Sequence, residues 1–264
     1  YVLVGEYGIA PLADDAKYQA IETDKEGNET TKTGSSDSAL VSYLRTLESK
    51  NLEKVSIKLL ADCEIKPSSK IEISNKVEEM ILDLNGKTLK ISPTSYDSNK
   101  DVGLVFKNNK TTITSSSSAN GTGTIQGERY EVSGYGLITV DNGSKLDIEN
   151  VTIENTSTAP TIIVGYTDLS TETATCTITD STIIGQRKGG IVRAQNGGYA
   201  ECTIGKGTTI RSTLKGCLCI GFVNDTTKNS TFIIENGAVL ASYSANDYVR
   251  KILSKLAVEL LEKM

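Results

Sequence analysis

From residue 55 onward, apolar and polar positions alternate with a period of two, and the alternation repeats with the same punctuation. LDLNGKTL (82–89) returns as LDIENVTI (146–153), CTITDSTI (176–183), CTIGKGTTI (202–210) and FIIENGAVL (232–240), the last two one residue longer. Each copy predicts a short strand, a turn and a second short strand. A second strand type opens the later units: GLVF (103–106), GLITV (136–140), TIIVG (161–165), GGIVRA (189–194) and GCLCIG (216–221). A unit therefore holds three short strands in roughly 25 to 33 residues, a length that buries a core only by stacking on its neighbours. The expected fold is all-β: a single right-handed parallel β-helix with three short strands per coil, inward side chains forming columns down the axis.

Aligning the copies puts Leu84, Ile148, Ile178, Ile204 and Ile234 in one expected inward column and Leu146, Cys176, Cys202 and Phe232 in the next. The turn position holds Asn85, Asn150, Asp180 and Asn236, with Lys206 the exception. Asn and Asp tolerate a left-handed backbone and can hydrogen-bond to the neighbouring coil.

The period shifts to that of a helix twice. Ser36 or Asp37 can cap a helix whose Leu40, Val41, Leu44 and Leu47 share one face, an expected N-terminal capping helix. Near the other end, Ser244-x-x-Asp247 has the form of a capping box, and Val249, Ile252, Leu253, Leu256 and Leu260 fall at helical spacing. That C-terminal amphipathic helix is read as a cap, with a dimerising helix or part of a following domain as alternatives. The expected organisation is an N-terminal arm over 1–34, its later half a hairpin tip or a linker, then capping helix and β-helix over 35–244, then the helix over 245–264.

Composition narrows the chemistry. Net charge is −5, and no run of Lys or Arg follows a phosphate backbone, so nucleic acid is disfavoured as a partner. Histidine is absent, which removes the usual neutral-pH general base, the Ser/Cys–His nucleophile pair and the commonest transition-metal ligand. No cofactor and no metal site is expected. No apolar stretch approaches the ~18 residues of a membrane span. The start, YVLVGEYGIAPLADDA, has no basic leader region; a mature exported chain would look the same.

KLLADCEI (58–65), then LDLNGKTL, preceded by an amphipathic helix and followed by repeats such as GSKLDIENVTI (143–153), resembles the pectate-lyase-like β-helix domains of large surface proteins of Gram-positive and gut bacteria. The resemblance runs from Lys58 to Leu240 and implies a secreted or wall-anchored chain whose roles are adhesion or glycan contact. Enzymes on this fold use carboxylates on one parallel sheet, in lyases with calcium and a basic residue. The motifs of active lyases and polygalacturonases are missing at matching positions, so no catalytic residue carries over.

The carboxylates nearest to such chemistry are Asp147, Glu149 and Asp180, then Glu154 and Glu201, with Arg193, Arg187 and Lys188 as nearby bases. Two carboxylates on adjacent coils would stand about 5 Å apart, near a retaining glycosidase pair. Outward strand positions must be polar in any case, and a solvated face is the preferred reading. Cys63, Cys176, Cys202, Cys217 and Cys219 lack zinc-like spacing; Cys176, Cys202, Cys217 and Cys219 read as core residues, a Cys176–Cys202 disulfide being the alternative. Outward threonines such as Thr175 and Thr177 raise ice binding, which irregular rows disfavour.

The preferred function is a secreted or cell-surface binding or adhesion module for glycans or a host or cell-surface protein. Its recognition loops are expected to stack along one side, with Tyr96, Tyr130, Tyr166 and Tyr199 in or beside them, as sugar platforms or as shields of the coil edge. The competing class is a polysaccharide lyase or glycoside hydrolase acting through the surface carboxylates.

Overall fold

The computed structural model describes residues 15–93, 102–107, 109–117, 121–128, 135–141, 143–165, 172–185, 192–194, 200–212, 218–220 and 230–242, the backbone alone at 192–194, 218–220, 230 and 242. A hairpin of β1 (Tyr18–Thr23) and β2 (Glu29–Gly34) leads into α1 (Asp37–Thr46). Next come β3 (Leu52–Leu59), β4 (Cys63–Ile65), β5 (Ile71–Ile73), β6 (Val77–Asp83), β7 (Thr88–Ile91), β8 (Leu104–Lys107), β9 (Lys110–Thr114), β10 (Gly123–Gly127), β11 (Ile138–Asp141) and β12 (Lys145–Glu149). The series continues through β13 (Val151–Asn155), β14 (Ile162–Val164), β15 (Ala174–Thr179), β16 (Thr182–Gly185), β17 (Val192–Ala194), β18 (Ala200–Ile204), β19 (Thr209–Ser212), β20 (Leu218–Ile220), β21 (Ser230–Ile234) and β22 (Val239–Ser242).

These strands form three sheets among the described residues. Sheet I runs β2-β1-β3-β6-β9-β12-β15-β18-β21, sheet II β4-β7-β10-β13-β16-β19-β22, and sheet III β5-β8-β11-β14-β17-β20. From β3 onward every pairing is parallel, and consecutive strands fall in the three sheets in rotation. The fold is a parallel β-solenoid.

Strand register defines the columns of the core. In sheet I, Ile57, Leu82, Ile113, Ile148, Ile178, Ile204 and Ile234 stack on one another. Ile148, Ile178 and Ile204 are fully buried, and Ile234, on the last described rung, packs half-buried against them. The expected column holds, with one correction: Leu82, not Leu84, occupies it. The corner of LDLNGKTL turns through two left-handed residues, Asn85 (φ 51°) and Gly86 (φ 71°), and is two residues longer than that of LDIENVTI. Leu84 is an additional buried corner residue. The neighbouring column is Val55, Met80, Thr111, Leu146, Cys176, Cys202 and Phe232.

The corners also divide. Asn85, Asn150 (φ 54°) and Asp180 (φ 45°) take left-handed backbone, as their short polar side chains permit. In the two longer copies that conformation passes to Gly207 (φ 73°) and Gly237 (φ 91°), so Asn236 is not the turning residue. Asn85 Nδ2 donates to Leu59 O (2.9 Å) and Asn150 Nδ2 to Ser115 O (2.8 Å), tying each corner to the preceding coil.

Sheet III differs from the other two in that β8, β11 and β14 bury consecutive residues. Its outward row begins Glu72, Val105, Thr139, Ile163, and the last three are buried. Sheets I and II keep half-exposed polar rows. At the first end, Ser36 Oγ accepts from Ala39 N (3.1 Å) to start α1, which lies against β4 and β5 and buries Leu40, Tyr43 and Leu44, Tyr43 beside the ring of Tyr18 on β1. The polar half of the N-terminal segment is the β1–β2 hairpin, and β1 joins sheet I antiparallel to β3. The 245–264 segment lies outside the described residues.

Candidate functional site

Asp147 and Glu149 project together from β12 on the outer face of sheet I. On adjacent rungs Asp147 stands between Thr112 and Thr177, and Glu149 between Thr114 and Thr179. Threonine thus occupies each place where a facing carboxylate would stand. Lys145 Nζ lies 3.3 Å from Asp147 Oδ2. Asp180 sits at a corner, and Glu201 is flanked by Thr175 and Thr231. Arg193, described by its backbone, belongs to sheet III between Ile163 and Cys219, on a different sheet from Asp147. Glu154 is on sheet II, accepting from Gln126 Nε2 at 3.3 Å. Arg187, Lys188, Tyr96, Tyr130, Tyr166 and Tyr199 lie outside the described residues. General acid–base cleavage needs two groups converging on one bond. Of the candidates among the described residues, only Asp147 and Glu149 come together, as neighbours on one strand.

The thiols Cys176 and Cys202 are register partners, buried and free, and Cys63 is likewise buried and free. A hydrogen bond with Cys202, followed by burial, pushes the Cys176 thiol well above its ordinary range. These cysteines are core. Among the described residues no cluster of three or more Cys, Asp or Glu is arranged to hold a metal ion, and no helix is long and apolar enough to cross a membrane.

The most regular polar feature is the outer face of sheet II. Thr88, Thr124, Thr152, Thr182 and Thr209 stack in strict register, all half-buried, and Val239 ends the column. Parallel strands set their spacing at about 4.8 Å. Beside them runs a second column: Glu64, Lys90, Gln126, Glu154, Ile184 and Arg211. Lys90 Nζ lies 3.3 Å from Glu64 Oε1, and its hydrogen bond, with a lesser contribution from Lys66, holds the Glu64 carboxyl below its usual range. The face therefore offers a line of hydroxyls, each donor and acceptor, alongside a mixed-charge line. Its sequence signal is the Thr-Leu or Thr-Ile pair opening each second strand, clear in KTL (87–89), VTI (151–153), STI (181–183) and TTI (208–210). Thr124 is hidden because the connection from β9 to β10 is longer than in the other copies.

The chain matches no protein-family model, no curated protein and no solved structure.

Proposed function

We propose that this chain is a secreted or cell-surface binding module of the pectate-lyase-like kind found in bacterial surface proteins. Its β-helix is right-handed with three strands to a coil, closed by α1 at one end and by the 245–264 helix at the other. The module holds an extended partner, a glycan in the first instance, along the outer face of sheet II. The observation that supports this reading is the unbroken column of five threonines. A line of evenly spaced hydroxyls suits a polymer that presents hydroxyls or amides along its length, because each rung can both donate and accept. The threonines that flank Asp147 and Glu149 favour binding over cleavage.

The test is a glycan array run beside turnover assays. Thr152→Val with Thr182→Val preserves shape and removes two hydroxyls; it is expected to weaken attachment at least severalfold with melting nearly unchanged. Release of reducing ends or unsaturated uronates, abolished by Asp147→Asn or Asp180→Asn, would overturn the binding reading in favour of an enzyme.

A further inference from the structure

Beside the C-terminal end of α1 lies an open cleft of about 300 Å³ lined by Arg45, Glu48, Ser69, Lys70, Glu72 and Ser74. Glu72 begins the outward row that continues through the buried Val105, Thr139 and Ile163, and is itself half-exposed. Arg45 fixes its wall. One terminal nitrogen donates to Glu48 Oε1 (2.7 Å) and Lys70 O (2.6 Å), the other to Ser69 O (2.7 Å) and Ser69 Oγ (2.8 Å). Those terminal donors are spent on bracing, which pre-organises the wall.

The remaining charges cancel locally. Glu72 Oε1 meets Lys70 Nζ at 2.8 Å and Oε2 meets Lys107 Nζ at 3.0 Å. Burial pushes the Glu72 carboxyl up, but the hydrogen bonds from Lys70 and Lys107 outweigh it and hold the group below its usual range. Burial would lower Lys70, while Glu72 and Tyr135, whose ring lies 3.9 Å below the ammonium, raise it. Both groups are therefore charged at neutral pH. Within the lining, two cations (Arg45, Lys70) pair with two anions (Glu48, Glu72). A cleft so balanced neither draws nor repels a net charge. It does offer fixed polar points: the Ser69 and Ser74 hydroxyls, hydrogens on Lys70, and the second oxygen of Glu48.

We propose that this cleft binds one neutral sugar unit, whose hydroxyls each give and take a hydrogen bond and so use acceptor and donor points in alternation. The proposal deepens the glycan reading by adding a monosaccharide-sized site apart from the sheet II face, and the two fail separately, since one is probed with free monosaccharides and the other with polymers. The full chain is titrated by amide NMR with D-glucose, D-galactose, D-mannose and N-acetyl-D-glucosamine, and with D-glucuronate as the charged comparator. At least one neutral sugar is expected to shift the amides of Ser69, Lys70, Glu72 and Ser74 more strongly than glucuronate. Ser74→Ala is expected to weaken that binding about threefold to tenfold, and Glu48→Gln, which can still bond Arg45, to do likewise, with melting unchanged and Thr152→Val/Thr182→Val without effect. No shift at these residues with any neutral sugar, stronger binding of glucuronate, or undiminished binding in Ser74→Ala would overturn the assignment.

Discussion

Asn150 performs two tasks that a substitution can separate. Its backbone is left-handed (φ 54°), and its side-chain amide bonds the carbonyl of Ser115 one coil below (2.8 Å). Asn150→Gly keeps the backbone and loses the bond, which should cost about 1 kcal/mol. Asn150→Ala adds the left-handed penalty of a Cβ and should cost about 2 kcal/mol or more. Urea unfolding of the pair tests this; Ala as stable as Gly would remove strain from the account. Ile178 is fully buried between Ile148 and Ile204, and Ile178→Ala should lose about 2 to 5 kcal/mol. An unchanged urea midpoint would deny it a core position. The isoleucine column was legible because a period of two assigns each side chain to a face. Leu84 was misaligned because the letters L-D-L and L-D-I match, whereas register depends on corner length, and the paired left-handed residues Asn85 and Gly86 lengthen that corner.

The interior of the solenoid, where Cys63, Cys176 and Cys202 are buried, leaves no water for an ionised thiol. Burial first, with nearby Asp37 adding to it, pushes the Cys63 thiol to about 11, and Cys176 is raised by its bond with Cys202 and by burial. In the unfolded chain a thiol ionises near about 8.5, so above that pH the unfolded state sheds protons that the fold retains. Stability is therefore full below about pH 8.5 and should fall as pH rises toward about 11. The raised phenols of Tyr18 and Tyr43 act with the same sign at higher pH. Melting followed from pH 6 to 10.5 should show this decline, and replacing Cys63, Cys176 and Cys202 with Val should flatten its first part; a decline of equal size in the triple variant would sink the idea. The threonine column was readable in the repeats as the residue opening each second strand. The cleft was not, since its walls come from α1, the turn before β5 and the side chains of β5, elements whose meeting depends on where the helix lands and not on any period.

The two ends of the solenoid are not equivalent. At the first, an antiparallel hairpin joins sheet I beside β3, and α1 lies against β4 and β5. At the other, β20, β21 and β22 are the last strands of their sheets among the described residues. Ile234 and Leu240, inward on these strands, are only partly buried there, whereas their partners Ile204 and Ile210 one rung below are fully buried. Each rung of a solenoid is stabilised by its neighbours, so a rung stacked on one side only should open first, and its free strand edges invite pairing with another chain. The amphipathic stripe of 245–264 offers Val249, Ile252, Leu253, Leu256 and Leu260 to cover that surface. Hydrogen exchange on the full chain and on a version ending at residue 242 decides whether it does. If the segment caps the end, its removal should accelerate exchange across Ser230–Ile234 and Val239–Ser242 while β9, β12 and β15 exchange as before, and the shortened chain should self-associate in sedimentation through its uncovered edge. A full chain that sediments as a dimer, turned by the truncation into a monomer with unchanged exchange in β21 and β22, would instead make the segment a dimerising helix.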